Sequence, residues 1–70
     1  MSESVYKVIE LVGVSTESWE KAATAAIERA GQSLSDLRIA EVSELDMKLE
    51  NGKIAGYRAK VKVSFKYKGE

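Results

Sequence analysis

Residues 37–67 read LRIAEVSELDMKLENGKIAGYRAKVKVSFKY, and the Asn51-Gly52 pair near their centre decides the fold. Asn-Gly between two β-favouring runs is the strongest short-range hairpin signal, because both residues tolerate the positive φ that a type I′ turn demands. Leu37 to Leu49 therefore reads as one long strand, Glu50-Asn51-Gly52-Lys53 as the turn, and Ile54 to Tyr67 as the returning strand. The returning strand alternates cleanly. Tyr57, Ala59, Val61, Val63, Phe65 and Tyr67 fall on one face, and Arg58, Lys60, Lys62, Ser64 and Lys66 on the other.

Upstream of the hairpin, Val5 to Val14 has strand character, with Val5, Val8, Ile9, Leu11, Val12 and Val14 favouring β structure. It is apolar on both faces, as a strand covered on both sides would be. Gly13, near its end, suggests a bend or a close approach of another backbone. Ser15, Thr16 and Ser18 are candidate N-caps, and Glu17 and Glu20 suit the positive end of a helix dipole. Trp19, Ala22, Ala23, Ala26, Ile27 and Ala30 then recur at helical spacing and form one apolar stripe. The spacing predicts a helix from about Ser18 to Ala30, supported by a Glu17–Lys21 pair and ended by Gly31 as a left-handed C′ residue. Gln32 to Asp36 is the link to the hairpin.

The order is β-α-β-β in a single domain spanning residues 1–70, an α+β fold. One helix reverses the chain once, so the first two strands run the same way and the third runs against both. An antiparallel three-stranded sheet then needs the third strand in the middle, in order 1-3-2, wrapped around the helix with a right-handed crossover.

Four of the six stripe residues are alanine, so the helix has little apolar area to bury. Small domains usually compensate with disulfides, a structural metal or oligomerisation. The chain has no Cys and no His, which removes disulfides, thiolate metal sites, the commonest transition-metal ligand and the commonest general base. Oligomerisation is the compensation that remains, apart from an oxygen-ligand metal site. Eleven basic and eleven acidic residues balance, so there is no electrostatic footprint for nucleic acid. No apolar run is long enough to span a membrane, and Met1-Ser2-Glu3-Ser4 lacks the regions of a signal peptide. A cytoplasmic protein is the expectation.

The hairpin presents a conflict. A plain two-residue turn places Leu49 opposite Ile54, Leu45 opposite Arg58, Glu41 opposite Lys62 and Ile39 opposite Ser64 on one face. It places Asp46 opposite Tyr57, Glu44 opposite Ala59, Val42 opposite Val61 and Ala40 opposite Val63 on the other. The apolar pairs near the base then face the helix, while Leu45, Met47, Leu49 and Ile54 near the turn face away. A bulge that shifts the register midway would resolve this. The reading favoured here is that the hairpin tip extends past the helix and buries its outer face against another subunit.

No catalytic constellation or phosphate-binding Gly-rich loop is visible, and an enzyme is not expected. Glu41, Glu44 and Asp46 are candidate oxygen ligands for a cation, with salt bridges along the strand as the plainer reading. Lys60, Lys62, Lys66 and Lys68 line one side of the last strand, a row that more often protects a strand from aggregation than it binds phosphate.

Residues 5–13 (VYKVIELVG) with Ser15 and Ser18-Trp19-Glu20 resemble the opening of the dodecins. The resemblance continues through residues 26–30 (AIERA), Leu37-Arg38, Glu41-Val42, Gly52-Lys53, Tyr57, and Val61-Lys62-Val63 with Phe65. It implies a β-α-β-β subunit that assembles twelvefold into a hollow shell. It also implies a small ligand held between subunits, typically a flavin such as FMN or riboflavin, and in some members coenzyme A. The flavin-stacking Trp of the family follows the Leu-Arg pair, where this chain has Ile39, and the flavin-contacting Gln follows the Tyr of the last strand, where this chain has Arg58. Ile39 has no π-system, and Arg58 adds a charge. With Leu45, which the simple register sets on the same face, these residues mark the family pocket with altered chemistry and weakened or lost flavin binding. The chain is similar to the subgroup lacking this Trp, which includes a calcium-binding member.

Overall fold

A computed structural model describes residues 3–67. It contains β1 (Tyr6–Ser15), α1 (Trp19–Ser33), β2 (Leu37–Glu50) and β3 (Lys53–Lys66). The sheet is antiparallel, in order β1-β3-β2. The β-α-β-β order, the central third strand and the single helix are those expected from the sequence.

Asn51 (φ 51°) and Gly52 (φ 75°) both take the left-handed conformation, as the hairpin turn requires. Ser18 caps the helix: its Oγ accepts from the Lys21 amide at 3.0 Å. Lys21 also pairs with Glu17 one turn earlier. The helix does not stop at Gly31 but runs on to Ser33, where the Leu34 amide donates to the Ala30 carbonyl at 2.9 Å. The left-handed turn falls instead at Asp36 (φ 65°), whose carboxylate accepts from Arg38 Nε at 3.0 Å. Among the described residues no helix is long and apolar enough to cross a membrane.

The stripe faces the sheet. Ala22, Ala26 and Ala30 are buried, and Ala22 and Ala26 pack with Ala59, Val61 and Val63 of β3, with Ile9, Leu11, Ala23, Ile27 and Leu37 at the margin. Gly13 brings the two layers together: a Cβ there would lie 1.9 Å from the Ala22 carbonyl oxygen. The close backbone approach that the sequence suggests is present. The helix lies over β1 and β3 and barely reaches β2.

The hairpin corrects the favoured reading. Val42 pairs with Val61, but Glu44 pairs with Lys60 and Leu45 with Ala59, so Ser43 is an extra residue in β2. Its hydroxyl donates to the Lys60 carbonyl at 3.2 Å, which satisfies backbone that the bulge disturbs. A second irregularity lies between Lys48 and Leu49, and a third between Leu37 and Ile39. The Ser43 bulge carries Leu45 and Met47 onto the face of Ala40 and Val42. Leu45 and Met47 therefore pair with Ala59 and Tyr57 on the helix side, not on the outer face. The register shift sends Leu45 and Met47 to the helix side, while Leu49 stays opposite Ile54 as in the plain register. The hairpin does extend past the helix, and its outer face carries charged pairs beside the exposed Ile39.

Candidate functional site

The outer face of the hairpin is a row of cross-strand charge pairs. Glu41 stands opposite Lys62, Glu44 opposite Lys60 and Asp46 opposite Arg58. Lys60 Nζ lies 3.2 Å from Glu44 Oε1. Arg58 donates twice to Asp46, from Nε to Oδ1 at 2.7 Å and from Nη2 to Oδ2 at 2.9 Å. This two-point geometry is the strongest form of carboxylate–guanidinium pairing. The Arg58 hydrogen bond holds the Asp46 carboxyl below its ordinary range, and Asp46 in turn raises Arg58. Hydrogen bonding to Glu44 raises Lys60.

These pairs exist because of the Ser43 bulge. The plain register sets Glu44 against Ala59 and Asp46 against Tyr57, whereas the slipped register gives each acid a basic partner. Ile39 lies on the same outer face, opposite Ser64 and 61% exposed. Leu45 does not: it lines an apolar depression with Trp19, Glu20, Ala23 and Val42 on the helix side. The three pocket residues expected to share a face are therefore split two and one. Ile39 and Arg58, moreover, register six β3 positions apart, which at the rise of an extended strand is roughly 20 Å. A site that uses both must draw them from different subunits.

The carboxylates Glu41, Glu44 and Asp46 do not gather. Among the described residues no three acidic side chains approach closely enough to hold a metal ion, and Glu44 and Asp46 are each engaged by a cation. The lysine row proves interleaved with acids at Lys60 and Lys62, and Lys68 lies outside the described residues.

Trp19 has a role that its stripe position alone did not disclose. Its indole Nε1 donates to the Asp46 backbone carbonyl at 3.0 Å, and its ring meets Tyr57 edge-on at 5.1 Å. The start of α1 is thereby tied to the strand positions that carry Asp46 and Arg58. The bulge brings Met47 opposite Tyr57 and so sets the neighbouring Asp46 carbonyl within reach of the indole.

The dodecin family profile matches residues 5–68. The chain belongs to the dodecin family. It is 49% identical over 63 residues to a calcium dodecin of Mycobacterium tuberculosis, covering 90% of this chain and 89% of that protein. The solved structure of the calcium-chelating dodecin from the same organism superposes with a TM-score of 0.82 at 50% identity, covering 96% of each chain. The dodecin of Streptomyces coelicolor superposes with a TM-score of 0.89 at 31% identity over the whole of both chains. Membership makes this chain a small-ligand-binding protein and points to a homo-oligomer. That agrees with a subunit whose buried hydrophobic side chains, among the described residues, are alanine and valine.

Proposed function

We propose that this dodecin forms a non-catalytic homododecameric shell that sequesters a small ligand between subunits, with flavin affinity weak or lost. The exposure of Ile39 carries the reading. An aliphatic side chain stands open on the outer face at the position where the family resemblance puts the stacking Trp. It cannot supply aromatic stacking, which is worth about 0.5–1.5 kcal/mol beyond area burial per aromatic pair. Titration of riboflavin or FMN with the protein tests this through fluorescence quenching. The wild type should quench only well above micromolar concentrations, and Ile39→Trp should tighten binding of both flavins. Micromolar quenching by the wild type would sink the reading, and a monomer in light scattering would sink the shell.

A second reading, a cation-binding shell, is favoured by the 49% identical calcium dodecin. The carboxylates of one subunit do not fit a cation cage, since Glu44 and Asp46 already face Lys60 and Arg58. Oxygen ligands from more than one subunit would be needed, with Glu41, Glu44 and Asp46 as candidates. A calcium-dependent rise in melting temperature, reversed by a chelator and abolished by Glu44→Ala or Asp46→Ala, would support it. No rise would remove it.

A further inference from the structure

We propose that Asp46 is a positioning residue that sets ligand charge preference: it holds Arg58 in a two-point pair and turns that position into an uncharged hydrogen-bond donor. The inference rests on the reading of the family pocket given under Proposed function. It predicts that the site takes an uncharged ring system as readily as the same ring carrying a phosphate.

Four observations carry it. The Arg58–Asp46 pair has two nearly parallel hydrogen bonds, at 2.7 and 2.9 Å, so its orientation is fixed rather than merely close. Both side chains remain about half exposed, 45% for Arg58 and 51% for Asp46, so a ligand can reach them. Among the described residues Asp46 takes up Nε and one Nη2 proton of the guanidinium, which leaves further N–H groups able to donate to a neutral acceptor. Finally, the pair is anchored from behind, because Trp19 Nε1 holds the Asp46 carbonyl at 3.0 Å and packs on Tyr57, the residue before Arg58.

Along the β2–β3 row each base stands beside an acid, Lys62 by Glu41, Lys60 by Glu44 and Arg58 by Asp46. An incoming anion meets no unbalanced cation there. The mutual pKa shifts of Asp46 and Arg58, one down and the other up, agree with a pair that stays ionised together. Arg58 is thus not simply an added charge in the pocket. Paired with Asp46 it has the character of a neutral amide, the group that the family resemblance puts at this position.

The test uses the assembled protein carrying Ile39→Trp, so that flavin binding can be measured. Affinities for riboflavin and FMN are compared before and after adding Asp46→Asn. The two flavins should bind within about twofold of each other before, and FMN should be preferred by about tenfold after, the worth of one freed charge-assisted contact. A merely structural role for Asp46 would weaken both flavins alike. A ratio unmoved by Asp46→Asn, or a tenfold FMN preference already present without it, overturns the inference. If Asp46→Asn does not assemble, Ile39→Trp with Arg58→Gln decides: the ratio should stay near one, and a tenfold shift toward riboflavin would show that the arginine charge was felt. If Ile39→Trp binds neither flavin, the pocket reading fails, and inorganic phosphate decides the inference separately. Phosphate, against chloride at equal ionic strength, should raise the melting temperature of Asp46→Asn but not of the wild type or of Asp46→Asn with Arg58→Gln. An equal response in all three overturns it.

Discussion

Replacing Gly13 by alanine should force β1 and α1 apart. The added Cβ would lie 1.9 Å from the Ala22 carbonyl oxygen, 2.9 Å from its carbonyl carbon and 3.1 Å from Ala26 Cβ. Carbon–oxygen contacts close at about 3.3 Å, so the helix must retreat by about 1.4 Å. It has little freedom to do so. Ala22 and Ala26 are buried against Ala59 and Val61, Ser18 caps the first turn, and Trp19 is bonded to Asp46. The obstacle is backbone, so no rotamer change relieves it. Overpacking typically costs about 1–3 kcal/mol, and a backbone clash belongs at the upper end, about 3 kcal/mol. At about 4–8 °C per kcal/mol for a domain of this size, Gly13→Ala should melt about 12–24 °C below the wild type. Circular dichroism melts at a fixed subunit concentration, with light scattering to follow assembly, measure this. A Gly13→Ala protein that assembles and melts within about 2 °C of the wild type would refute the close approach.

The same substitution at Gly31 should have the opposite sign. Gly31 is helical and a Cβ there meets only Leu37 Cδ1 at 3.8 Å, so Gly31→Ala should stabilise by about 0.5–1 kcal/mol; destabilisation would restore the left-handed stop. Ser18→Ala should cost about 1 kcal/mol through the lost cap to the Lys21 amide, read from the same melts. Asp46 is held below its ordinary value of 3.8 by Arg58, so its stabilising contribution is complete above that value and fades as pH falls through the lowered one. The gap in melting temperature between wild type and Asp46→Asn should therefore be constant from about pH 7 to 5 and shrink below about pH 4; a gap unchanged at lower pH would refute the pairing. Because association stabilises by mass action, the melting temperature should rise with subunit concentration, and a concentration-independent melt of a monomer would count against the assembly.

The hairpin shows where sequence reading reaches its limit. Asn51-Gly52 fixes the turn, and the alternation of β3 identifies Ala59, Val61 and Val63 as core, because both signals are local. The Ser43 bulge is not local. The spacing from Val42 to Leu45 breaks alternation, and a face switch and a bulge account for it equally well. The charges could have decided between them. A one-residue slip turns Glu44/Ala59 and Asp46/Tyr57 into Glu44/Lys60 and Asp46/Arg58, so only the bulged register satisfies every acid on β2. At Gly31 a favourable stop signal lost to helix continuation, because a mid-helix glycine costs only about 1 kcal/mol and Asp36 supplies the turn instead. Ile39 and Arg58 were legible as altered positions. The pairing of Arg58 with Asp46 was not, since it depends on the register that the bulge creates.

The same mismatch of sizes explains why this subunit looks for copies of itself. A 15-residue helix spans about 22 Å and a 14-residue strand about 46 Å, so α1 covers only part of the hairpin. The chain accordingly measures 54 × 20 × 17 Å, and its radius of gyration is 14.5 Å, against about 11 Å for a compact chain of this length. Gly13 and the alanine stripe seat the helix close to the sheet, but side chains that small leave little apolar area to bury. Val42, Leu45 and Met47 continue the helix-side face beside the helix and stay exposed, while Val8, Val12 and Val14 stay exposed on the other side of the sheet. Exposed apolar surface on both faces of one sheet is unfavourable for a monomer and useful for a subunit that meets neighbours on two sides. The charged row on the outer face of β2 and β3 interrupts that surface where Asp46 and Arg58 pair. Under the proposed reading, that polar position is where a ligand would be received between subunits.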